Sequence, residues 1–189
     1  MADERMGASH NPDPQEGLRS DAPSLRILMD GVARVVVALC GMIVLGVLID
    51  WELKLRPFSP DPWRWLGVAP IVFGGVFEVT ATKAFWSLGM GTPHPRQPPQ
   101  RLVDGGPYAH SRNPLYIGRL LVLLGAACIL GSVSTVMIAV ILFLSLDVFL
   151  IPREEARLKA RLGRDYEEYC VRVPRWFSFR HAQVTSKPR

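Results

Sequence analysis

Cysteine and histidine are scarce in this chain, three and four among 189 residues, and no spacing of them gathers a set of metal ligands. A structural zinc site is not expected, and no metal cofactor is. Cys40 and Cys128 fall inside apolar runs and Cys170 in a basic segment, a distribution that excludes a disulfide framework. No internal repeat and no glycine-rich dinucleotide fingerprint is visible. The stretch before the first apolar run is net acidic and no small-residue cleavage site follows that run, unlike a secretory signal. Charge is missing altogether from residues 35–49 and from residues 120–146.

Those uncharged runs decide the class. Hydrophobic residues make up 49% of the chain and charged residues 21%, and the run at 120–146 exceeds the roughly 20 residues that cross a bilayer as a helix. The apolar stretch from Pro114 to Ile151 is nearly twice that length and holds the turn-prone cluster Gly131-Ser132-Val133-Ser134 at its middle. Two helices joined by a tight hairpin are expected there. Another span is expected between Trp63 and Trp86, with tryptophans at the interfacial ends. The expected fold is an all-α membrane protein with about four transmembrane helices, at 29–50, 63–86, 114–131 and 133–151. A C-terminal amphipathic interfacial helix completes it.

Charge gives the orientation. In this arrangement the first connection holds Lys54, Arg56 and Arg64, and the other 19 of the 22 Lys and Arg lie at the opposite face. Both termini are therefore expected in the cytoplasm. From Pro152 onward ten Lys or Arg stand against five Asp or Glu, which equals the net +5 of the whole chain. Anionic membrane lipids account for that charge, and no nucleic acid is expected.

Residues 1–26 and 178–189 read as polar tails around two regions, 27–86 with the first two spans and 87–177 with everything else. The connection at 87–113 holds five prolines and four glycines, too many for a regular helix. So long an irregular connection suits a lid or site wall. In REEARLKARLGRDYEEYCVRVPRWF, Leu158, Leu162, Tyr166 and Tyr169 share one helical face, while Glu155 and Lys159 are spaced to pair on the other. Gly163 is placed to kink or divide that helix.

The segment GPYAHSRNPLYIG has a structural explanation residue by residue. Asn113 suits an N-cap, Pro114 the first helical position and Tyr116 the interface. The hairpin adds to this, because two antiparallel helices of similar length bring Arg112–Tyr116 and Arg153–Glu155 back to one face. An arginine holds a carboxylate with two hydrogen bonds, and a glutamate accepts from an ammonium or from ribose hydroxyls. Glu78, Arg119 and Asp147 are ionisable groups in or near the spans, of which Glu78 and Arg119 are expected to pair.

The order GTPHPRQPPQRLVDGGPYAHSRNPLYIG, a hydrophobic hairpin, then REEARLKARLGRDYEEYCVRVPRWF resembles the isoprenylcysteine carboxyl methyltransferase and phospholipid methyltransferase superfamily. The similarity covers about residues 89–177, and the first two spans contribute little to it. The resemblance implies an integral-membrane, S-adenosylmethionine-dependent methyltransferase acting on a hydrophobic or lipid-like acceptor. It implies that Tyr108, Arg112, Asn113, Pro114, Tyr116, Gly118, Glu154 and Glu155 bind the cofactor, with Arg112 and Glu155 central to catalysis. Tyr166, Tyr169, Val173 and Pro174 match a closing pattern read as structural. Many members carry histidine where this chain has Asn113, which can donate and accept hydrogen bonds but is no base. His110 is the nearest candidate base, needed only for a protonated acceptor. A sulfonium already activates its methyl group, so alignment in a water-poor site is the main requirement. The other classes considered are a membrane NADPH-dependent reductase of related architecture and a non-catalytic membrane scaffold. The acceptor is left open among a prenylcysteine carboxylate, a phospholipid amine, an isoprenoid acid and a small thiol.

Overall fold

A computed structural model describes residues 25–58, 61–88 and 102–177. The expected tails at 1–26 and 178–189 lie outside the described residues except for Leu25 and Arg26, which belong to the first helix, and so do residues 89–101 of the proline-rich connection. Helix α1 spans Leu25–Glu52, and a 3-10 turn at Trp63–Gly67 leads into α2, Val68–Leu88. A second 3-10 turn at Gly106–Ala109 precedes α3, Pro114–Leu130. Helix α4, Val133–Ser145, passes through a π turn at Leu146–Leu150 into α5, Ile151–Leu162, and α6 spans Arg164–Arg172. No strand occurs among the described residues.

Among the described residues three stretches are long and apolar enough to cross a membrane: Met29–Glu52, Trp63–Phe85 and Val133–Leu162, with mean hydropathies of 2.7, 1.4 and 2.5. Helix α3 is apolar but only 17 residues long, at the lower end of the roughly 17–25 residues of spanning helices. Large apolar side chains such as Val37, Phe73 and Ile141 point outward from these helices. Such a surface suits lipid rather than water.

Small residues set how closely the helices approach. Gly118 and Gly125 lie two turns apart on one face of α3 and meet the backbone of α2 and its leading turn. A Cβ at Gly118 would stand 2.8 Å from the Gly74 carbonyl oxygen, and one at Gly125 would stand 2.5 Å from that of Gly67. Close backbone approach is how membrane helices gain packing without a hydrophobic drive between them.

The α3–α4 hairpin forms where the turn cluster predicts. Gly131 adopts the left-handed conformation (φ 66°), and its N–H returns to the Ala127 and Cys128 carbonyls. Ser132 then caps α4 by accepting from the Thr135 N–H. Asp50, at the end of α1, accepts from the Ser134 N–H at 3.0 Å and so ties α1 to the start of α4.

Two expectations change beyond the hairpin. The amphipathic helix expected after Pro152 is present as α5, but it continues α4 without a break. Lacking an N–H, Pro152 would break an α-helical ladder, but Ile151 already donates five residues back to Leu146 and the helix widens into a π turn. The chain stays helical from Val133 to Leu162 and breaks only at Gly163, with φ 57°. The stripe of Leu158, Leu162, Tyr166 and Tyr169 then folds on itself across that break. Tyr166, Tyr169 and Val173 form a buried cluster against Leu102, Leu158 and Leu162. The second change is in pairing: Lys159 reaches Glu167 at 2.8 Å instead of Glu155, whose oxygens are taken by two arginines.

Candidate functional site

The loop entering α3 is fixed from below and from above. Gly106, at φ 60°, and Pro107 start a turn that drives the Tyr108 ring into a pocket of Ala81, Val103 and Phe85. Burial there, reinforced by the charge of Glu78, raises the Tyr108 phenol above its ordinary value. From above, Tyr169 Oη donates to the Tyr108 carbonyl at 2.8 Å. Buried Ser111 accepts from the Asn113 N–H at 3.0 Å and donates to the Arg175 carbonyl at 3.2 Å. The Arg112 N–H meets the Pro174 carbonyl at 3.1 Å.

This stitching presents Arg112 to α5 and α6. Its Nη1 lies 2.7 Å from Glu155 Oε1 and 3.0 Å from Cys170 Sγ, while its Nε is buried without a hydrogen-bond partner. Tyr116, one turn into α3, donates to both carboxylate oxygens of Glu154 at 3.0 and 3.1 Å. The two motif halves, about 40 residues apart in sequence, therefore meet pairwise as the hairpin geometry requires. Beside them is a cavity of about 530 Å³ lined by Arg112, Glu155, Lys159, Tyr166, Glu167 and Cys170 among others. Its size falls in the roughly 300–1,000 Å³ range of small-molecule sites. The Lys159–Glu167 pair stands at its exposed rim, and the lysine lowers the Glu167 carboxyl below its usual range.

The structure adds residues that the sequence reading did not assign. After α6 the chain runs as a strap, Val173 to Phe177, across this end of the bundle. Arg175 donates to Glu155 Oε2 at 2.8 Å and Oε1 at 3.2 Å, and to Asp147 at 3.3 Å. The bond to Glu155 raises the Arg175 guanidinium pKa further. Trp176 Nε1 donates to the same Asp147 oxygen at 2.9 Å, and its ring packs 4.8 Å from Phe143. The available signal was Asp147 itself, an intramembrane acid in need of a partner, together with an arginine and two aromatics after Val173-Pro174.

The remaining expected residues take other positions. Asn113 begins α3, but its side chain makes no capping bond and instead donates to the Arg175 carbonyl at 3.0 Å. Pro114 is fully buried at the helix start, and Gly118 faces α2 rather than the cavity. The Tyr108 ring is core. His110 lies beside Phe177, ring centroids 6.5 Å apart, and not along the cavity wall. Glu78 and Arg119 pair as expected, at 3.1 Å, and the Arg119 guanidinium sits 5.4 Å from the centre of the Tyr116 ring.

A family model described as phospholipid methyltransferase matches residues 63–165. The match starts at Trp63 and so takes in α2, upstream of the 89–177 block that carries the resemblance in sequence. It stops before the strap. No curated protein and no solved structure matches the chain. The family match covers more than half of the 189 residues, includes both motif halves that meet at Arg112–Glu155 and Tyr116–Glu154, and falls on an all-helical chain with membrane-length helices, so the chain belongs to the phospholipid methyltransferase family of membrane methyltransferases.

Proposed function

We propose that this protein transfers a methyl group from S-adenosylmethionine to a hydrophobic acceptor dissolved in the membrane, and that the cofactor occupies the cavity between the loop at 102–113, α5 and α6. The residues present fit such a ligand. Arg112 carries a buried donor with no partner, which a cofactor carboxylate would satisfy. Glu155 and Glu167 offer acceptors for an ammonium or for ribose hydroxyls, and the cavity is large enough for a nucleoside joined to an amino acid. When bound, the cofactor supplies a methyl group already activated on a sulfonium.

The chain's own part is to bind and align. Arg112 and Glu155 hold the cofactor, Tyr116 and Glu154 extend the polar wall towards α2, and Tyr108, Asn113 and Pro114 position Arg112 through the packing already described. The strap holds Glu155 in place through Arg175, so that the cofactor would be aligned against fixed groups. No proton transfer is assigned to His110. With both termini on the cytoplasmic side, as the 19 basic residues at that face against three in the first connection favour, the cofactor arrives from the cytoplasm and the acceptor from the bilayer.

The Arg112–Glu155 contact at 2.7 Å carries this reading. Binding of isotope-labelled S-adenosylmethionine to the purified protein tests it. Arg112→Ala and Glu155→Ala should each weaken binding by about 10-fold to 100-fold, the scale of one lost charge-assisted contact. Equal binding by both variants and the unsubstituted protein would rule the site out.

A further inference from the structure

Helix α5 carries its charges sorted by face. The helix that runs from Val133 to Leu162 has 30 residues, about 45 Å at 1.5 Å per residue, against a hydrocarbon core of about 30 Å. Counted from the hairpin, Arg153 then stands at the hydrocarbon boundary, and Arg157 and Arg161 follow about 6 and 12 Å further out, across the headgroup layer. These three arginines recur every fourth residue, so they share one face of α5, and all are exposed. Glu155 and Lys159, which line the cavity, lie on the opposite face. Among the described residues the other cations after Pro152 are paired: Lys159 with Glu167, Arg164 with Glu168, Arg172 with Asp104, and Arg175 with Glu155 and Asp147. Arg153, Arg157 and Arg161 make no ion pair or hydrogen bond among those residues.

Like charges four residues apart on a helix repel, so the row weakens α5 unless an anion meets it. Orienting the chain in the bilayer requires positive charge on this side, but not its alignment on one face. The turn just before the row supplies a second contact surface. Val148, Phe149 and Leu150 all turn outward, within the span, where acyl chains reach them. An anion met by the row and apolar chains met by that turn belong to one kind of molecule. We propose that Arg153, Arg157 and Arg161 bind the headgroup of an anionic phospholipid whose acyl chains lie against Val148, Phe149 and Leu150. Composition assigns lipid contact to the basic segment as a whole, whereas the pairing pattern narrows it to one row of three and joins that row to an apolar seat. The site is separate from the cavity and does not depend on the methyltransferase reading.

The test uses the full-length protein in neutral detergent micelles with fluorescent phosphatidylglycerol, and with phosphatidylcholine carrying the same label. The unsubstituted protein should bind the anionic lipid more tightly. That preference should fade between about 0.1 M and 1 M salt, as the screening length drops from about 10 Å to about 3 Å. Arg153→Gln, Arg157→Gln and Arg161→Gln should each weaken phosphatidylglycerol binding about fivefold, the scale of one basic residue at an anionic surface, with phosphatidylcholine binding unchanged. The triple variant should lose the preference. Glutamine matches arginine in helix propensity at these exposed positions, and the single variants carry the test should the triple variant unfold. Arg164→Gln removes the same charge from a residue already paired with Glu168 and should bind as the unsubstituted protein does. Free glycerol phosphate should compete only weakly, having no chains for the apolar turn. No preference in the unsubstituted protein, a preference kept by the triple variant, an equal effect of Arg164→Gln, or full competition by glycerol phosphate would each overturn the site.

Discussion

Replacing Arg175 by glutamine tests whether the strap serves the site or merely decorates it. Glu155 receives three hydrogen bonds, one from Arg112 at 2.7 Å and two from Arg175 at 2.8 and 3.2 Å. The substitution removes the last two, and with them the contact to Asp147 at 3.3 Å, leaving Asp147 its bond from Trp176. A buried charge-assisted bond contributes roughly 1.5–3 kcal/mol. The Arg175 side chain is 33% exposed and that of Glu155 19%, so solvent screening reduces the two bonds to about 1.5 kcal/mol together. The Asp147 contact, exposed by about a third on both sides, adds about 0.5 kcal/mol. The total of about 2 kcal/mol corresponds to a fall in Tm of roughly 4–8 °C for a chain of this size.

The functional effect should be separable from that loss. With Arg175 gone, Glu155 keeps a single anchor and is free to change rotamer, so the affinity for S-adenosylmethionine should fall about tenfold. Lysine at 175 keeps the charge but not the fork that bridges two carboxylates, and should fall between the two. Thermal unfolding in detergent and equilibrium binding on the same preparations decide the matter. A lower Tm with unchanged affinity would make the strap purely structural. Tighter binding would mean that Arg175 competes with the cofactor for Glu155, and the positioning account would be abandoned.

Two further outcomes follow from the packing. Gly118→Ala places a Cβ 2.8 Å from the Gly74 oxygen and 3.3 Å from the Glu78 nitrogen, backbone atoms that yield only if the helices part. A loss of about 1–3 kcal/mol is expected in thermal unfolding, whereas Gly75→Ala, with open space around it, should be neutral or slightly stabilising. Equal behaviour of the two variants would contradict the close α2–α3 contact. Burial raises the phenols of Tyr108, Tyr166 and Tyr169 above their usual value near 10. The folded state thus favours the neutral form, so this stability is complete below pH 10 and is lost as pH rises through the folded values. Tm should be flat from pH 8 to about 10 and fall above it, with tyrosinate absorbance appearing only on unfolding. Tyrosinate absorbance near pH 10 in a protein that is still folded would contradict it.

What could be read from the sequence was what depends on neighbours along the chain. Uncharged runs set the helices, Gly131 and Ser132 set the hairpin through local capping chemistry, and the hairpin in turn brings Arg112 and Glu155 together. Glu78 and Arg119 were legible because a charge among apolar residues needs a partner. Pro152 misled, since a proline reads as a boundary and the π turn that accommodates it leaves no mark in the apolar pattern. Lys159 misled for a related reason. Spacing within one helix suggested Glu155, but the break at Gly163 brought Glu167 within reach while two arginines claimed Glu155. The strap was hidden because its contacts join residues 20 to 64 positions apart through an irregular segment with no period to detect. The family match, ending at residue 165, does not reach it either.

The strap also fixes an order of events. Helices α1 to α4 carry their own apolar surface, and the hairpin is capped by residues that are synthesised with it. Arg112, in contrast, emerges 43 residues before Glu155, and Glu155 emerges 20 before Arg175. Every apolar helix can be in the bilayer while the loop at 102–113 still lacks the carbonyls of Pro174 and Arg175 that hold it. The apolar helices and the contacts that close the loop at 102–113 therefore depend on different parts of the chain. The contacts around Arg112 and Glu155 are complete only in a chain that extends to Arg175.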